Sequence, residues 1–94
     1  MLPRERNYLL DMLNAAKLAQ DFVSGISWDD FQANLMCQAA VTRQLEIIGE
    51  AARGISEASQ SELPEVPWHQ IIGMRNRIAH EYDRLTLNRL WDTV

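Results

Sequence analysis

Cysteine occurs once, at Cys37, so neither a disulfide framework nor a cysteine metal site is available within the 94 residues. A reducing compartment is therefore expected. The four glycines and three prolines are also few. They cluster between apolar-periodic stretches, which speaks against disorder and for helices joined by short loops. Long hydrophobic runs are missing as well. Met1-Leu2-Pro3-Arg4-Glu5-Arg6 leads into a segment broken by Asp11, Lys17 and Asp21, which has neither the apolar core of a signal peptide nor the length of a membrane span. The expectation is a cytoplasmic protein without membrane association. Basic residues are outnumbered nine to thirteen, for a net charge of -4, which argues against a protein that coats nucleic acid.

What is present is an ordinary share of hydrophobic residues, 47%, with periodicity near 3.6. A chain of this size has room for one domain, residues 1–94, and buries only about two-thirds of its unfolded surface, so a partner is expected. Pro3 suits the first turn of a helix whose stripe runs Tyr8, Met12, Ala15, Ala19 and Phe22, widened by Leu9, Leu13, Ala16 and Val23, to an end at Ser24-Gly25. Ser27 and Asp30 form a capping pattern for a second helix through Phe31, Leu35, Val41, Leu45, Ile48, Ala52 and Ile55. That helix would be up to about thirty residues long with a bend at Gly49. The polar stretch 56–64 ends it. Pro67 opens a third helix running to about Asp83. Thr86 caps a fourth, in which Leu87, Leu90, Trp91 and Val94 share a face before the chain stops, so the last helix is expected to be truncated. The predicted fold is all-α, an antiparallel bundle of about four helices.

Charge is distributed unevenly. Residues 1–67 hold five basic and ten acidic side chains, whereas residues 68–90 hold Arg75, Arg77, Arg84 and Arg89 against Glu81 and Asp83. On a wheel of the third helix, Trp68, Ile71, Ile72, Ile78, Ala79 and Tyr82 form an apolar arc, with Gln70, Arg77, Glu81 and Arg84 opposite. Arg75 falls inside the apolar arc. Its guanidinium must snorkel, pair with a carboxylate such as Glu46 or Glu50, or point into a cleft between helices or subunits. Asn76 and His80, one turn apart, share a neighbouring face bordered by Gly73, where an amide could orient the imidazole. His69 has no such company. Tyr82 returns to nearly the angle of Arg75, either as core packing or to reach the same cleft. Arg77 faces solvent, where it is a solvated charge or a contact for phosphate.

The string Arg75-Asn76-Arg77-Ile78-Ala79-His80 resembles the Arg-x4-6-His motif of HEPN domains, and its extension to Tyr82 resembles that of the HepT-like ribonuclease toxins. Ile48-Gly49-Glu50-Ala51 and the stretch from Pro67-Trp68 to Met74 support the likeness, which covers essentially the whole chain. The resemblance implies a homodimer that cleaves RNA without a metal or other cofactor, the 2′-hydroxyl attacking the adjacent phosphate. His80 would transfer protons as base or acid, Arg75 would bind phosphate, and Asn76 would orient His80 or the backbone. It further implies an MntA-like nucleotidyltransferase partner that silences the toxin by transferring AMP to Tyr82. The alternative is a non-catalytic dimeric subunit that binds a nucleotidyltransferase or a nucleotide, with Arg75 as an interface anchor. Because Arg75 and His80 differ by about 140° around the axis, one helix is not expected to complete the site alone.

Overall fold

A computed structural model describes the backbone of residues 1–80 and the side chains of residues 1–77; residues 81–94 lie outside the description. Within it the chain forms α1 (Pro3–Val23), α2 (Trp28–Ala33), α3 (Leu35–Arg53), α4 (Glu57–Ser61) and α5 (Trp68–His80), and there are no strands among the described residues. The all-α class stands. The predicted fourth helix from Thr86 to Val94, with its truncation, lies outside the described residues, as do Tyr82 and the end of the third predicted helix.

α1 ends where the sequence placed it. Ser24 caps it in an extended conformation, and Gly25 turns the chain at a φ of 76°, a left-handed conformation that side chains rarely adopt. Ser27 and Asp30 then form the reciprocal capping box of α2: Ser27 Oγ accepts from the Asp30 N–H, and the Asp30 carboxylate accepts from the Ser27 N–H.

The single long second helix is not what forms. The chain breaks at Asn34, whose side chain accepts from the Cys37 N–H and restarts the helix as α3. Asparagine competes with helix continuation by offering such a cap, which periodicity does not detect. Leu35, assigned to the buried stripe, is consequently 77% exposed. α3 also runs unbroken through Gly49, where a bend was expected. The polar stretch after it contains a one-turn helix, α4, capped by Ser56. The break at Asn34 and the added α4 turn the three helices expected over residues 1–80 into five.

α3 is the central element, packed against both α1 and α5. Two apolar clusters flank it, one built on Met12, Ala51, Ala52, Ile55 and Trp68, the other on Phe31, Val41 and Leu45, and Ile48 packs against both. The stripe of α1 is buried at Met12, Ala15 and Ala19, whereas Tyr8, Leu13 and Phe22 stay exposed. Trp68 fixes the start of α5: its ring is buried, and its indole N–H donates to the carbonyls of Gln60 and Leu63. The motif helix is thus anchored at its beginning by α4 and the loop after it.

Glu5 is buried at 3% exposure although it belongs to the charged side of the α1 pattern. Its carboxylate accepts from the N–H and hydroxyl of Ser56, and so ties the start of α1 to the cap of α4. The Ser59 hydroxyl and then the Ser56 groups hold its carboxyl below the ordinary value of 4.5. A depressed native pKa stabilises the fold above the unfolded value and loses that contribution as pH falls through the native one. Thermal melts from pH 6 to pH 3 are expected to show a steeper acid loss in the native protein than in Glu5→Gln. Parallel curves would exclude the clamp.

Candidate active site

Arg75 is held by the closeness of α5 to α3. Gly49 on α3 is buried beneath it, and a Cβ there would collide with the Cβ and Cγ of Arg75. The glycine of the Ile-Gly-Glu-Ala string therefore serves the close approach of the two helices. The aliphatic stem of Arg75 lies on α3, leaving the side chain 24% exposed. Its head turns towards Glu50, with Nη2 at 3.9 Å from Oε1. Of the choices the sequence left open, Glu50 is the carboxylate that Arg75 meets, while Glu46 pairs with Arg43 at 3.5 Å. The same Glu50 oxygen lies 4.0 Å from Arg43 Nη1.

These contacts are loose. At 3.9 Å the Arg75 pair lies beyond hydrogen-bond range, and Glu50 is 48% exposed, so the pair contributes at most about 1 kcal/mol to stability. The planar fork of Arg75 remains able to bind an oxyanion bidentately, a stronger interaction than the one it makes here.

Asn76 and Arg77 are exposed, and Gly73 faces open space, as a pocket edge on that side of α5 would require. Arg77 does not share the surface of Arg75. It lines a groove of about 1,040 Å³ shared by α1, α3 and α5, whose lining includes Leu9, Leu13, Ile48, Ile71 and Arg6. Arg75 is absent from that lining, so the two motif arginines serve different surfaces. The backbone of His80 lies in the last described turn of α5; its side chain, and Tyr82, lie outside the description. The structure therefore brings together Arg75, Glu50 and Arg43, and sets Arg77 apart. Arg43 was missed in the sequence. Its signal was present in the spacing of Arg43, Glu46 and Glu50 along one face of α3, beside the glycine that admits α5.

The described residues thus form an all-α domain whose motif helix is pressed on a glycine, with a weakly paired arginine ahead of a histidine in the sequence. A model of the family described as "Ribonuclease HepT-like" matches residues 12–94, and the chain belongs to that family. Among its relatives is a protein of Thermococcus cleftensis described as "Probable ribonuclease HepT", 37% identical over 95% of this chain and 81% of the relative. Two proteins each described as a "Putative RNase" are similar too. The one from Methanocaldococcus jannaschii is 38% identical over 93% of this chain and 80% of its own length. The other, from Caldanaerobacter subterraneus, is 35% identical over 95% and 80%. No solved structure matches the chain significantly. Among the described residues no helix is long and apolar enough to cross a membrane.

Proposed function

We propose that the chain is the endoribonuclease toxin of a toxin–antitoxin pair, acting as a homodimer in the cytoplasm and cutting RNA without a metal. The observation that carries this reading is Arg75: its stem is fixed on Gly49, its head is only loosely held by Glu50, and it begins an Arg-x4-His string in a HepT-like chain. The 2′-hydroxyl of one nucleotide attacks the adjacent phosphate. One His80 takes the hydroxyl proton, and the His80 of the second copy gives a proton to the leaving oxygen. Arg75 binds the phosphate and stabilises the charge that grows on its oxygens. Asn76 orients His80, and Arg77 contacts backbone phosphate on the groove side. The two copies are required because Arg75 and His80 diverge around one helix axis by about 140°.

The antitoxin in this reading is an MntA-like nucleotidyltransferase that transfers AMP to Tyr82. A phosphate-bearing group seven residues from Arg75 would occupy its anion-binding head and exclude RNA. Expression of the chain alone is expected to arrest growth, and co-expression with a neighbouring nucleotidyltransferase to relieve it. Intact-mass measurement should then show adenylyl-sized increments that map to Tyr82 and vanish in Tyr82→Phe. Relief of arrest by a stable complex without any mass increment would remove the covalent switch, whereas absence of arrest by the chain alone would favour the non-catalytic binding subunit.

A further inference from the structure

We propose that Arg43 is a second phosphate-contacting residue of the RNA site, and that Glu50 holds Arg43 and Arg75 towards each other until the RNA backbone displaces it. The inference rests on the reading of the chain as a ribonuclease and extends its site from α5 onto α3.

One oxygen, Glu50 Oε1, stands 3.9 Å from Arg75 Nη2 and 4.0 Å from Arg43 Nη1, so these nitrogens are no more than about 8 Å apart. Two guanidinium groups this close repel one another unless an anion lies between them. Glu50 is the anion shared by both in the free protein, and Glu46 pairs with Arg43 as well, at 3.5 Å. Neither contact reaches hydrogen-bond length, and the side chains of Arg43 and Glu50 are 59% and 48% exposed, so water screens the pair and the carboxylate is easily displaced. A phosphodiester offers two unhindered oxygens with the same negative charge, and each guanidinium can grip one phosphate through two N–H donors. Consecutive phosphates of one strand supply an anion for each arginine.

The position of Arg43 is set by the same contact that sets Arg75. Arg43 and Glu50 are seven residues apart on α3 and so share a face. Gly49, next to Glu50, admits α5 close enough for Arg75 to extend along that face. The charge balance of the chain makes the contribution useful. Residues 1–67 hold only Arg4, Arg6, Lys17, Arg43 and Arg53 against ten carboxylates, and Arg43 shares a carboxylate with the motif arginine. RNA bound at Arg75 by an acidic protein benefits from each further cation placed beside it.

The test uses the full chain and a fluorescent single-stranded RNA carrying 2′-O-methyl groups, which cannot be cleaved by 2′-hydroxyl attack. Affinity is measured by anisotropy across a series of salt concentrations. For single strands, each phosphate contact contributes about 0.7 to the slope of log affinity against log salt. Arg43→Ala is expected to reduce the slope by about that amount and Arg43→Lys to restore it. Arg53→Ala, at the far end of α3, should leave it unchanged, and Glu50→Gln should tighten binding several-fold at low salt. Circular dichroism identifies any variant that fails to fold, and Arg43→Gln then replaces Arg43→Ala. A slope unchanged in the Arg43 variants while Arg75→Ala loses its share overturns the inference and leaves the ribonuclease reading standing. Salt-independent binding by the native protein counts against the reading itself.

Discussion

Substituting alanine for His80 is expected to lower RNA cleavage by about 10²- to 10⁴-fold, the usual contribution of a positioned general acid or base. Arg75→Ala should cost about 10²- to 10³-fold, in the range measured for the loss of a donor that stabilises developing negative charge. Arg75→Lys should recover only part of that loss. Lysine keeps the charge but not the fork, and its ammonium lacks the planar group with which Arg75 can bridge two oxygens from its seat on Gly49. The measurement is the initial rate on a labelled RNA with chelator present. The order of the variants also separates roles, because a merely structural Arg75 would lower thermal stability in step with activity. Its ion pair to Glu50 is too long and too exposed to hold the fold, so Arg75→Lys, which keeps an aliphatic stem on Gly49, should melt close to the native protein while its activity falls.

Gly49→Ala should have the second largest effect, and its sign is decided by two opposing magnitudes. Alanine within a helix is favoured over glycine by about 1 kcal/mol. Against this, the new methyl group would meet the Cβ and Cγ of Arg75, with the Arg75 Cα also 3.3 Å away. Overpacking of this kind costs about 1–3 kcal/mol, and backbone so near leaves little room for a side chain to swing aside. The net expectation is destabilisation by up to about 2 kcal/mol. Activity should fall further than stability. Moving α5 by about 1 Å displaces Arg75 from the reacting phosphate, which can cost on the order of 10²-fold. Denaturant melts and cleavage rates on the same preparation check both parts, and a stabilised, fully active Gly49→Ala would show that α5 does not sit on Gly49.

Much of this was legible in the sequence because its causes are local. Pro3, the Ser24-Gly25 stop and the Ser27–Asp30 box act through near neighbours, and all three appear in the structure as read. The apolar-arc position of Arg75, which left snorkelling, pairing and a cleft between helices or subunits as choices, also follows from helical spacing, and in the described chain its head makes a loose pair with Glu50. What escaped depends on contacts between elements. Asn34 reads equally well as a polar residue inside a long amphipathic helix and as the cap of a new one. Gly49 reads as a bend until α5 is laid across it. Glu5 reads as a surface charge until Ser56, 51 residues later, is brought to it by the turn into α4. Arg43 reads as one member of an exposed charge face, and gains meaning only when Arg75 reaches the same carboxylate from another helix.

The chemistry assigned to the Arg75–His80 segment is tested most directly by the ends that cleavage leaves. Attack by the 2′-hydroxyl on the adjacent phosphate yields a 2′,3′-cyclic phosphate on one fragment and a 5′-hydroxyl on the other. Mass spectrometry of a short RNA digested by the native chain in chelator, with Arg75→Ala prepared identically as control, should show those two ends in the native digest and uncut RNA in the control. Fragments bearing 3′-hydroxyl and 5′-phosphate ends, or equal cleavage by both proteins, would contradict the account.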